Sequence, residues 1–542
     1  MKLAASVRAL FHRLPDDPRA RGLHARLLPL RPTRPARGDA GIVVQCVEDP
    51  FYLGLFTRLC HALRARAEPA IDLYVPRSVN ARVGAGWKTM LMRSFPLGRL
   101  VANQWVRLYD VVTDRVGYRS TSLRHPLGDA IDAWRSWRIW KAARSVAQLE
   151  ALQVDGVTCG DLVLDTYLRF RPSPRIRLDD PFLFYLLWQA HRDVRRARRY
   201  FGSVRPRLYL ASYTTYVQHG IAARVALQEG TRVVCFGNFQ QFGKELSLDD
   251  TFHTRDAVRY RRDFDAVPNR DALMEEARRQ LELRLSGGID SATFYMASSA
   301  YRTTTAEVPD ASGAVVVFLH DFYDSPHIYA DLVFPDFWEW TCCTIETLRA
   351  ASIKFLVKPH PNQIALSDSV IGELKQRFPD MQLIPSGVTN RQLVDAGMAC
   401  AVTVYGTIAH EMAYLGVPSI ACARHPHVAF DFCRTATDRD GYVKLLRQAL
   451  QLSGDPKVLR EQALQFYVMH NLNLPREQIA LRDAMLAAWR ESHDTEASAD
   501  AIAQAFERLA ALPGFDSFVQ GLLGAPSGAA ALPGSEPTWS TP

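Results

Sequence analysis

The fold is decided by the stretch Ala396–Ile420, which reads AGMACAVTVYGTIAHEMAYLGVPSI. An apolar run from Met398 to Val404 meets Tyr405-Gly406-Thr407, and a helical pattern follows it. Gly416 ends that pattern, and a second apolar run starts directly afterwards. A strand, a glycine turn, a helix and another strand predict half of a phosphate-binding α/β unit, because N–H groups and the positive dipole at a helix start attract anions.

Two further strand ends carry polar side chains. Residues 355–362 read FLVKPHPN, so Lys358 and His360 follow an apolar strand, and strand alternation places both on the same face. Residues 313–320 form another apolar run that ends in His320-Asp321. Ligands of open α/β sheets bind beyond the carboxyl ends of strands. We therefore expect one nucleotide site built from these strand ends, with Glu411 facing ribose hydroxyls. Its predicted contacts are Lys358, His360, Asn362, Tyr405, Gly406, Thr407, His410, Glu411, His320 and Asp321.

Length and composition limit the class of protein. A chain of 542 residues exceeds one core, and 48% hydrophobic with 23% charged residues is typical of a globular protein. Predicted strands near 313–320, 353–359, 381–385, 398–404 and 418–423 alternate with helices, which indicates a parallel sheet covered on both faces. A similar alternation over 41–75 and 207–236 predicts a second such sheet. The predicted fold is α/β, with two Rossmann-like domains facing a cleft and extra C-terminal helices.

The same patterns divide the chain into six parts. These are a basic leader (1–40), an N-terminal acceptor domain (41–245), an interdomain connection (246–312), a C-terminal donor nucleotide domain (313–452), C-terminal helices (453–523) and a disordered tail (524–542).

The charge of the chain is concentrated at its start. Residues 1–40 carry nine Lys or Arg against three Asp, which supplies most of the net charge of +8. We expect this leader either to touch an anionic membrane surface or to be a solvated segment. No secretory signal and no apolar run of membrane-spanning length are present, and the nine cysteines show no Cys-x-x-Cys spacing. These features predict a cytoplasmic protein, at most peripheral to the inner membrane. No nucleic-acid motif appears, so no nucleic-acid partner is predicted.

These strand-end motifs resemble those of a known enzyme family. Lys358-Pro-His-Pro361 and Tyr405-Gly-Thr-x-x-x-Glu411 with Gly416-Val-Pro418 resemble motifs of bacterial capsule and lipopolysaccharide glycosyltransferases of the GT-B fold. The His-Pro element is similar to that of Kdo transferases and sialyltransferases. Residues 160–169 (GDLVLDTYLR) and 214–220 (TTYVQHG) also resemble N-terminal segments of capsule-type transferases.

The resemblance implies a reaction and its partners. It implies transfer of a sugar from a nucleotide donor to a glycan or lipid-linked acceptor, with His360 contacting the donor phosphate. The likeness of the His-Pro element to those two enzyme groups implies a CMP-activated, Kdo-like donor. The nucleotide sugar is then a substrate, and no cofactor or metal is required. Inverting transfer needs a base for the acceptor hydroxyl. Asp165 and Asp161 are the candidates, with Glu48 behind them, and each could equally be a cap or ion-pair partner.

Three alternatives stay open at this point. The Gly-Thr…Glu…Gly-x-Pro element is shared by sugar-nucleotide epimerases of the same fold. Ser286-Gly-Gly-Ile-Asp290-Ser matches an ATP pyrophosphatase signature, although a charged helical run precedes it where a strand is required. A non-catalytic scaffold of a glycan-assembly complex is the third.

Overall fold

The computed structural model describes residues 14–33, 41–67, 69–76, 104–119, 125–171, 173–250, 258–290, 292–293, 301, 306–329, 331–361 and 363–524. The predicted contact residue Asn362, most of the predicted tail and the first thirteen residues of the leader lie outside these ranges.

The N-terminal half contains a six-stranded sheet. Its strands and a separate hairpin are β1 (Ile42–Gln45), β2 (Ile71–Val75), β3 (Tyr118–Arg119), β4 (Gln153–Val154), β5 (Val157–Thr158), β6 (Leu208–Ala211), β7 (Arg232–Cys235) and β8 (Lys244–Leu246). The sheet order is β3-β2-β1-β6-β7-β8, and β4 pairs only with β5. All neighbours in the sheet are parallel except β8, which is antiparallel to β7. The chain therefore reverses its direction of travel across the sheet between β1 and β6.

The C-terminal half contains a five-stranded parallel sheet. Its strands are β9 (Val315–Phe318), β10 (Phe355–Lys358), β11 (Cys400–Val402), β12 (Ser419–Ala421) and β13 (Cys433–Thr435). They lie in the order β10-β9-β11-β12-β13, so the corresponding reversal falls between β9 and β11.

Eighteen α-helices connect and cover these sheets within the described residues. They are α1 (Pro18–Leu27), α2 (Pro50–Ala67), α3 (Pro126–Ala142), α4 (Val146–Glu150), α5 (Gly160–Phe170), α6 (Pro181–Val204), α7 (Val217–Gln228), α8 (Arg259–Phe264), α9 (Arg270–Leu285), α10 (Phe337–Ala350), α11 (Ala365–Arg377), α12 (Asn390–Asp395), α13 (Ile408–Tyr414), α14 (Arg439–Arg447), α15 (Pro456–Tyr467), α16 (Arg476–His493), α17 (Ala499–Ala510) and α18 (Pro513–Leu523).

Both sheets are buried on both faces, as continuous apolar strands predict. Alternate residues of β1 contribute to different cores: Ile42 and Val44 join one apolar cluster, whereas Val43 joins another. In β9, Val315 and Val316 divide between two clusters in the same way. The predicted fold class, two Rossmann-like α/β domains, is confirmed.

Two details of the second sheet differ from the sequence prediction. The strand expected near 381–385 makes only a single bridge, between Leu383 and Val357. Pro385 follows and has no N–H to extend the ladder. The outer strand β13 was not predicted, because the three residues Cys433, Arg434 and Thr435 show no apolar alternation.

The chain ends pack where the sequence did not indicate. Helix α1 lies inside the predicted leader, yet Leu23 and Leu27 are fully buried in the core beneath the N-terminal sheet. Phe506 of α17 and Val519 of α18 lie in the same core, so the C-terminal helices return to the first domain. Part of the predicted connection, α8 and α9, packs against α15 beside the second sheet. The described helices of the leader, of the connection and of the C-terminal segment therefore pack against the two domains.

All nine cysteines are buried free thiols. Within the described ranges, no helix combines the length and the apolar character needed to cross a bilayer.

Candidate functional site

The crevice between β9 and β11 is the place where an open sheet of this order binds its ligands. Thr403, directly after β11, is buried, and its hydroxyl oxygen lies 3.0 Å from Nε2 of His320, which follows β9. The same oxygen accepts the backbone N–H of Gly406 at 3.1 Å. We call this set of three, His320, Thr403 and Gly406, the C-terminal crevice. It brings together two of the strand ends predicted to form one site.

His320 is held as a neutral imidazole. Its ring stacks on Phe337, with centroids 4.7 Å apart and planes 13° apart, and Tyr405 packs beside it at 4.9 Å. Burial lowers the pKa of His320 to about 3, and the neighbouring His360 acts in the same direction. A neutral ring at this position offers hydrogen bonds but no formal positive charge.

His360 lies beside this crevice, beyond the end of β10, and its side chain is only partly buried. Burial lowers the pKa of His360, and the carboxylates of Asp324 and Asp321 oppose that shift. His360 and His320 interact electrostatically, so the structure brings these two predicted contact residues close together.

The turn before α13 requires glycine. A Cβ built on Gly406 would lie 2.8 Å from Oγ1 of Thr403, and Cε1 of His320 is 3.6 Å from the same point. Gly406 and Thr407 are both partly exposed, and Thr407 makes no side-chain capping bond to α13. The Tyr405 hydroxyl donates to the Ser325 carbonyl at 3.1 Å, which anchors the turn to the loop after β9.

Three other predicted contacts have partners inside the protein. The Lys358 ammonium is buried and donates to the Val388 carbonyl at 2.7 Å and to Oδ1 of Asn390. Burial lowers the pKa of Lys358 to about 8, and the Glu411 carboxylate opposes this shift. The Lys358 ammonium is therefore bonded inside the domain, which differs from the expected contact with a phosphate.

Glu411 and His410 are likewise directed away from the crevice. Nη1 of Arg284 donates to Oε1 of Glu411 at 2.8 Å, and the Tyr301 hydroxyl donates to Oε2 at 2.7 Å. His410 is buried against Phe466, and its Nε2 lies 3.3 Å from Nη1 of Arg284. Both oxygens of Glu411 are engaged by the protein, so the ribose contact expected from the sequence differs from the observed bonding.

Asp321 supports the loop rather than facing the cleft. Its Oδ1 accepts the Ser367 hydroxyl at 2.8 Å, and its Oδ2 accepts the backbone N–H of Ile364 at 3.1 Å. These bonds tie the end of β9 to the start of α11, which follows His360 in the chain. Asp321 therefore positions the loop that carries His360.

The two carboxylates proposed as a base are both paired. Nη1 of Arg224 donates to Oδ1 of Asp161 at 2.7 Å, and Nη2 binds Oδ2. Burial acts to raise the pKa of Asp161, but Arg224 outweighs it and the net shift is downward. A carboxylate held in this way is a weak proton acceptor, so the structure does not support Asp161 as the base.

Asp165 joins the two domains. Its Oδ1 lies 2.6 Å from Nδ1 of His327, and both side chains are almost completely buried. His327 stands after β9 in the second domain, whereas Asp165 lies on α5 in the first. Nε2 of His327 is buried without a hydrogen-bond partner among the described residues. At 3% exposure the Asp165 side chain leaves no access for an acceptor hydroxyl in this structure, which differs from the expected role.

Sequence analysis missed Arg169, a residue of the first domain that contacts the loop after β9. Nη1 of Arg169 donates to the Tyr323 carbonyl at 3.1 Å, and Asp324, Asp321 and Tyr216 are its electrostatic neighbours. Arg169 lies four residues after Asp165 on α5, so both side chains project from one helix face. That spacing was visible inside the quoted segment 160–169, but only the carboxylates were considered.

The Ser286–Asp290 segment is not a phosphate loop of the pyrophosphatase kind. The helix α9, not a strand, precedes it. Oδ2 of Asp290 accepts from Arg284 at 2.6 Å and from the Tyr467 hydroxyl at 2.6 Å, so the carboxylate is part of a buried ion pair. The structure therefore contradicts the ATP pyrophosphatase alternative. No group of three or more His, Cys, Asp or Glu side chains in the described part of the chain is arranged to hold a metal ion.

Comparison with known proteins gives structural similarity only. No family model matches the chain, and no curated protein matches its sequence. The UDP-GlcNAc 2-epimerase of Methanocaldococcus jannaschii, solved with UDP-GlcNAc and UDP, is 8% identical and aligns over 77% of this chain and 96% of its own, with a TM-score of 0.25.

Two other solved structures are similar to the same extent. The UDP-GlcNAc 2-epimerase of Neisseria meningitidis, bound to UDP-GlcNAc, is 10% identical over 80% of this chain and 97% of its own, with a TM-score of 0.27. A spinosyn rhamnosyltransferase complexed with spinosyn aglycone is 12% identical over 89% of this chain and 100% of its own, with a TM-score of 0.22. At this level of similarity, the activity has to be inferred from the residues of the site.

Proposed function

We propose that the protein is a glycosyltransferase that moves a sugar from a nucleotide donor to a glycan or lipid-linked acceptor of a bacterial surface polysaccharide. The observation that carries this proposal is the meeting of His320, His360 and the Gly406 turn at the crevice of the second sheet. Arg169 of the first domain contacts the loop after β9 that adjoins it. In this proposal these groups bind the donor phosphate, and the acceptor binds on the side of the first domain.

The reaction requires the site to stabilise negative charge on the leaving nucleotide. As the glycosidic bond breaks, negative charge develops on the phosphate, and fixed donors in a dry cleft stabilise it. Arg169 supplies a permanent cation that can bind two phosphate oxygens at once. The imidazoles of His320 and His360 and the N–H groups around Gly406 supply hydrogen bonds. In this proposal Lys358 and Glu411 make hydrogen bonds inside the protein and stabilise the segments next to the turn.

The base is proposed to come from the first domain. Of the three carboxylates considered from the sequence, Asp161 is paired with Arg224 and Asp165 with His327. Glu48 follows the carboxyl end of β1 and is partly exposed, so a substrate hydroxyl can reach it, and we propose it as the base. A CMP-activated, Kdo-like donor and a capsule or lipopolysaccharide product are further parts of the proposal, and the motif resemblance supports them. A cytoplasmic location is also part of the proposal, and the cysteine spacing and the lack of a secretory signal support it.

Calorimetric titration of the full chain with CMP, CDP, UDP, GDP and a non-hydrolysable ATP analogue tests the proposal. We expect one pyrimidine or guanine nucleotide to bind at least roughly tenfold more tightly than ATP, as a built base pocket requires. Binding of none of them would overturn the proposal in favour of a non-catalytic scaffold.

A second measurement separates transfer from epimerisation. The nucleotide sugar of the preferred base is incubated with the protein in the absence of acceptor and followed by NMR. A transferase leaves the sugar stereochemistry unchanged, with at most slow hydrolysis. Inversion at a sugar carbon without acceptor would instead assign the epimerase activity.

A further inference from the structure

Helix α3 carries an exposed apolar stripe in the first domain, far in sequence from the site residues. Leu127 is 81% exposed, Ile131 52%, Trp134 56% and Trp137 49%. Eleven large hydrophobic side chains are exposed among the described residues, and four of them lie on this one helix. The other seven are scattered over several elements, which is normal for a globular surface.

The spacing of the stripe follows the helix. At 100° per residue, Leu127, Ile131 and Trp134 lie within about 60° of one another, and Trp137 flanks them. Arg138 and Lys141 continue the same face toward the end of the helix, where both are exposed. The guanidinium carbon of Arg138 stands 4.9 Å from the centre of the Trp134 ring. The face is therefore apolar at its start and cationic at its end.

The carboxylates of α3 point the opposite way. Asp129 and Asp132 are both buried, and they bind the arginines of α6. Nε of Arg195 donates to Oδ2 of Asp132 at 2.7 Å, and Nη2 of Arg192 donates to Oδ2 of Asp129 at 3.0 Å. The helix thus places its two anions inside and its cations outside, so the outer face carries no negative charge of its own.

We propose that the outer face of α3, formed by Leu127, Ile131, Trp134, Trp137, Arg138 and Lys141, docks on an anionic phospholipid surface. Tryptophan favours the boundary between headgroups and acyl chains, where its ring is apolar and its N–H stays wet. Leucine and isoleucine enter the acyl region, and the lysine and arginine meet lipid phosphates. A protein partner would not require an outer face free of carboxylates. This inference does not depend on the proposed enzymatic function.

Vesicle sedimentation with the full chain tests the inference. The vesicles contain phosphatidylcholine alone or phosphatidylcholine with phosphatidylglycerol. We expect wild type to partition onto the anionic vesicles and to be released by high salt, since the charge contribution is screened. The substitution I131S/W134S is expected to weaken partitioning at least roughly tenfold, because two large apolar side chains no longer enter the lipid. R138E/K141E is expected to weaken binding to anionic vesicles only.

Matched controls exclude a general surface effect. L450S/V458S removes two apolar side chains of similar exposure from other elements, and K375E/K457E reverses two exposed lysines elsewhere. Both should partition as wild type does. Thermal unfolding should be unchanged in every variant, because all the replaced side chains are exposed.

Three outcomes would overturn the inference. One is a wild type that stays in solution with anionic vesicles, and another is an I131S/W134S variant that partitions normally. The third is a concentration-dependent dimer in sedimentation velocity that I131S/W134S dissociates, which would assign the face to a second copy of the chain. Neutralising Lys2, Arg8 and Arg13 to alanine in the full chain measures the leader separately. If the leader variant no longer partitions and I131S/W134S still does, the leader and not the outer face of α3 binds the vesicles.

Discussion

Each of the two domains has a sheet in which the direction of the connections reverses once, but the crevice at that point differs between them. In the first sheet, the crevice between β1 and β6 is filled by Gln45, Ser212 and His219, which we call the N-terminal crevice. Nε2 of Gln45 lies 2.8 Å from Nδ1 of His219, and Oε1 of Gln45 accepts both the N–H and the hydroxyl of Ser212 at 2.8 Å. All three are buried. In the second sheet, Thr403 has the same central role, but Gly406 beside it is partly exposed.

The difference indicates which domain receives a ligand. A doubly wound sheet creates a crevice wherever the direction of its connections reverses, so both domains have one. Side chains that satisfy one another fill the first crevice, and a complete buried network of this kind stabilises a single conformation. The second crevice keeps a glycine turn and the imidazole of His360 partly open. The predictions below test whether the N-terminal crevice is structural and the C-terminal crevice binds the donor.

The largest expected effect concerns the ion pair beneath the C-terminal crevice. Arg284, Asp290 and Glu411 are almost fully buried, and replacing Arg284 with methionine leaves two carboxylates without their cation. Breaking a buried pair in this way lowers the free energy of unfolding by about 3–5 kcal/mol. Urea unfolding measures it, with Arg279→Met on the same helix as the control, because Arg279 forms only an exposed pair with Glu276.

This experiment also decides how Glu411 acts. If R284M unfolds as wild type does, Arg284 does not hold the Glu411 carboxylate, and the ribose contact expected from the sequence is again supported. A large loss of stability with normal nucleotide affinity in the remaining folded protein would confirm that the ion pair is structural.

His360→Ala has the second-largest expected effect, and it concerns turnover rather than stability. Removing one donor to a developing negative charge lowers kcat by about 10²–10³ in well-studied sites. The side chain is partly exposed, so the fold should tolerate the change. Steady-state kinetics with the donor identified by titration give the value, and His61→Ala on the exposed face of α2 serves as the control. Unchanged transfer by H360A would remove this histidine from the mechanism.

How far the sequence predicted the molecule can be judged from the same residues. The apolar runs of β9, β10 and β11 are long enough to be recognised, and parallel strands bring their carboxyl ends to one edge, so His320, His360 and Gly406 could be grouped in advance. The pairing of Glu411 with Arg284 could not, because 126 intervening residues separate the two positions. Strand alternation was also a poor guide to Lys358, since a long side chain can turn to partners such as Asn390 that lie in another segment.

The same limit applies to the first domain. Asp161 and Asp165 stand out as carboxylates between apolar residues, but a sequence shows neither Arg224 nor His327 beside them. Burial of a charged group requires a partner, and the partner is set by the tertiary fold. Arg169 was overlooked for the complementary reason, because an arginine near the end of an amphipathic helix is usually a surface residue.

A smaller effect is expected from Gly406→Ala, which tests whether the partly open C-terminal crevice binds the donor. The added methyl group would stand 2.8 Å from Oγ1 of Thr403, so the turn must shift. A strained contact of this kind is worth about 1–3 kcal/mol, and we expect nucleotide affinity to fall roughly tenfold. Calorimetric titration measures the change. Gly372→Ala in α11 is the control, because nothing lies within 4 Å of its added Cβ. Equal affinity in both variants would place the donor elsewhere.

A change in pH dependence, spread over two pH units, compares the two crevices directly. Burial lowers the pKa of His219 to about 3, and burial followed by the neighbouring His360 lowers that of His320 to about 3. Below the ordinary histidine pKa of about 6.5, each of these imidazoles is protonated in the unfolded chain but stays neutral in the folded protein. Stability contributed by each neutral ring is therefore complete above about pH 6.5 and falls as the pH drops toward 3.

Replacing His219 with glutamine removes one such group and keeps an amide able to bind Gln45. Between pH 6 and pH 4, the slope of the free energy of unfolding against pH should decrease by about one proton relative to wild type, as measured by urea unfolding. His320→Gln should change the slope equally. An unaltered slope in H219Q would mean that His219 titrates normally and that the N-terminal crevice admits water. The two variants differ only with nucleotide present: H320Q should lose affinity while H219Q keeps it, because only the C-terminal crevice has an open side.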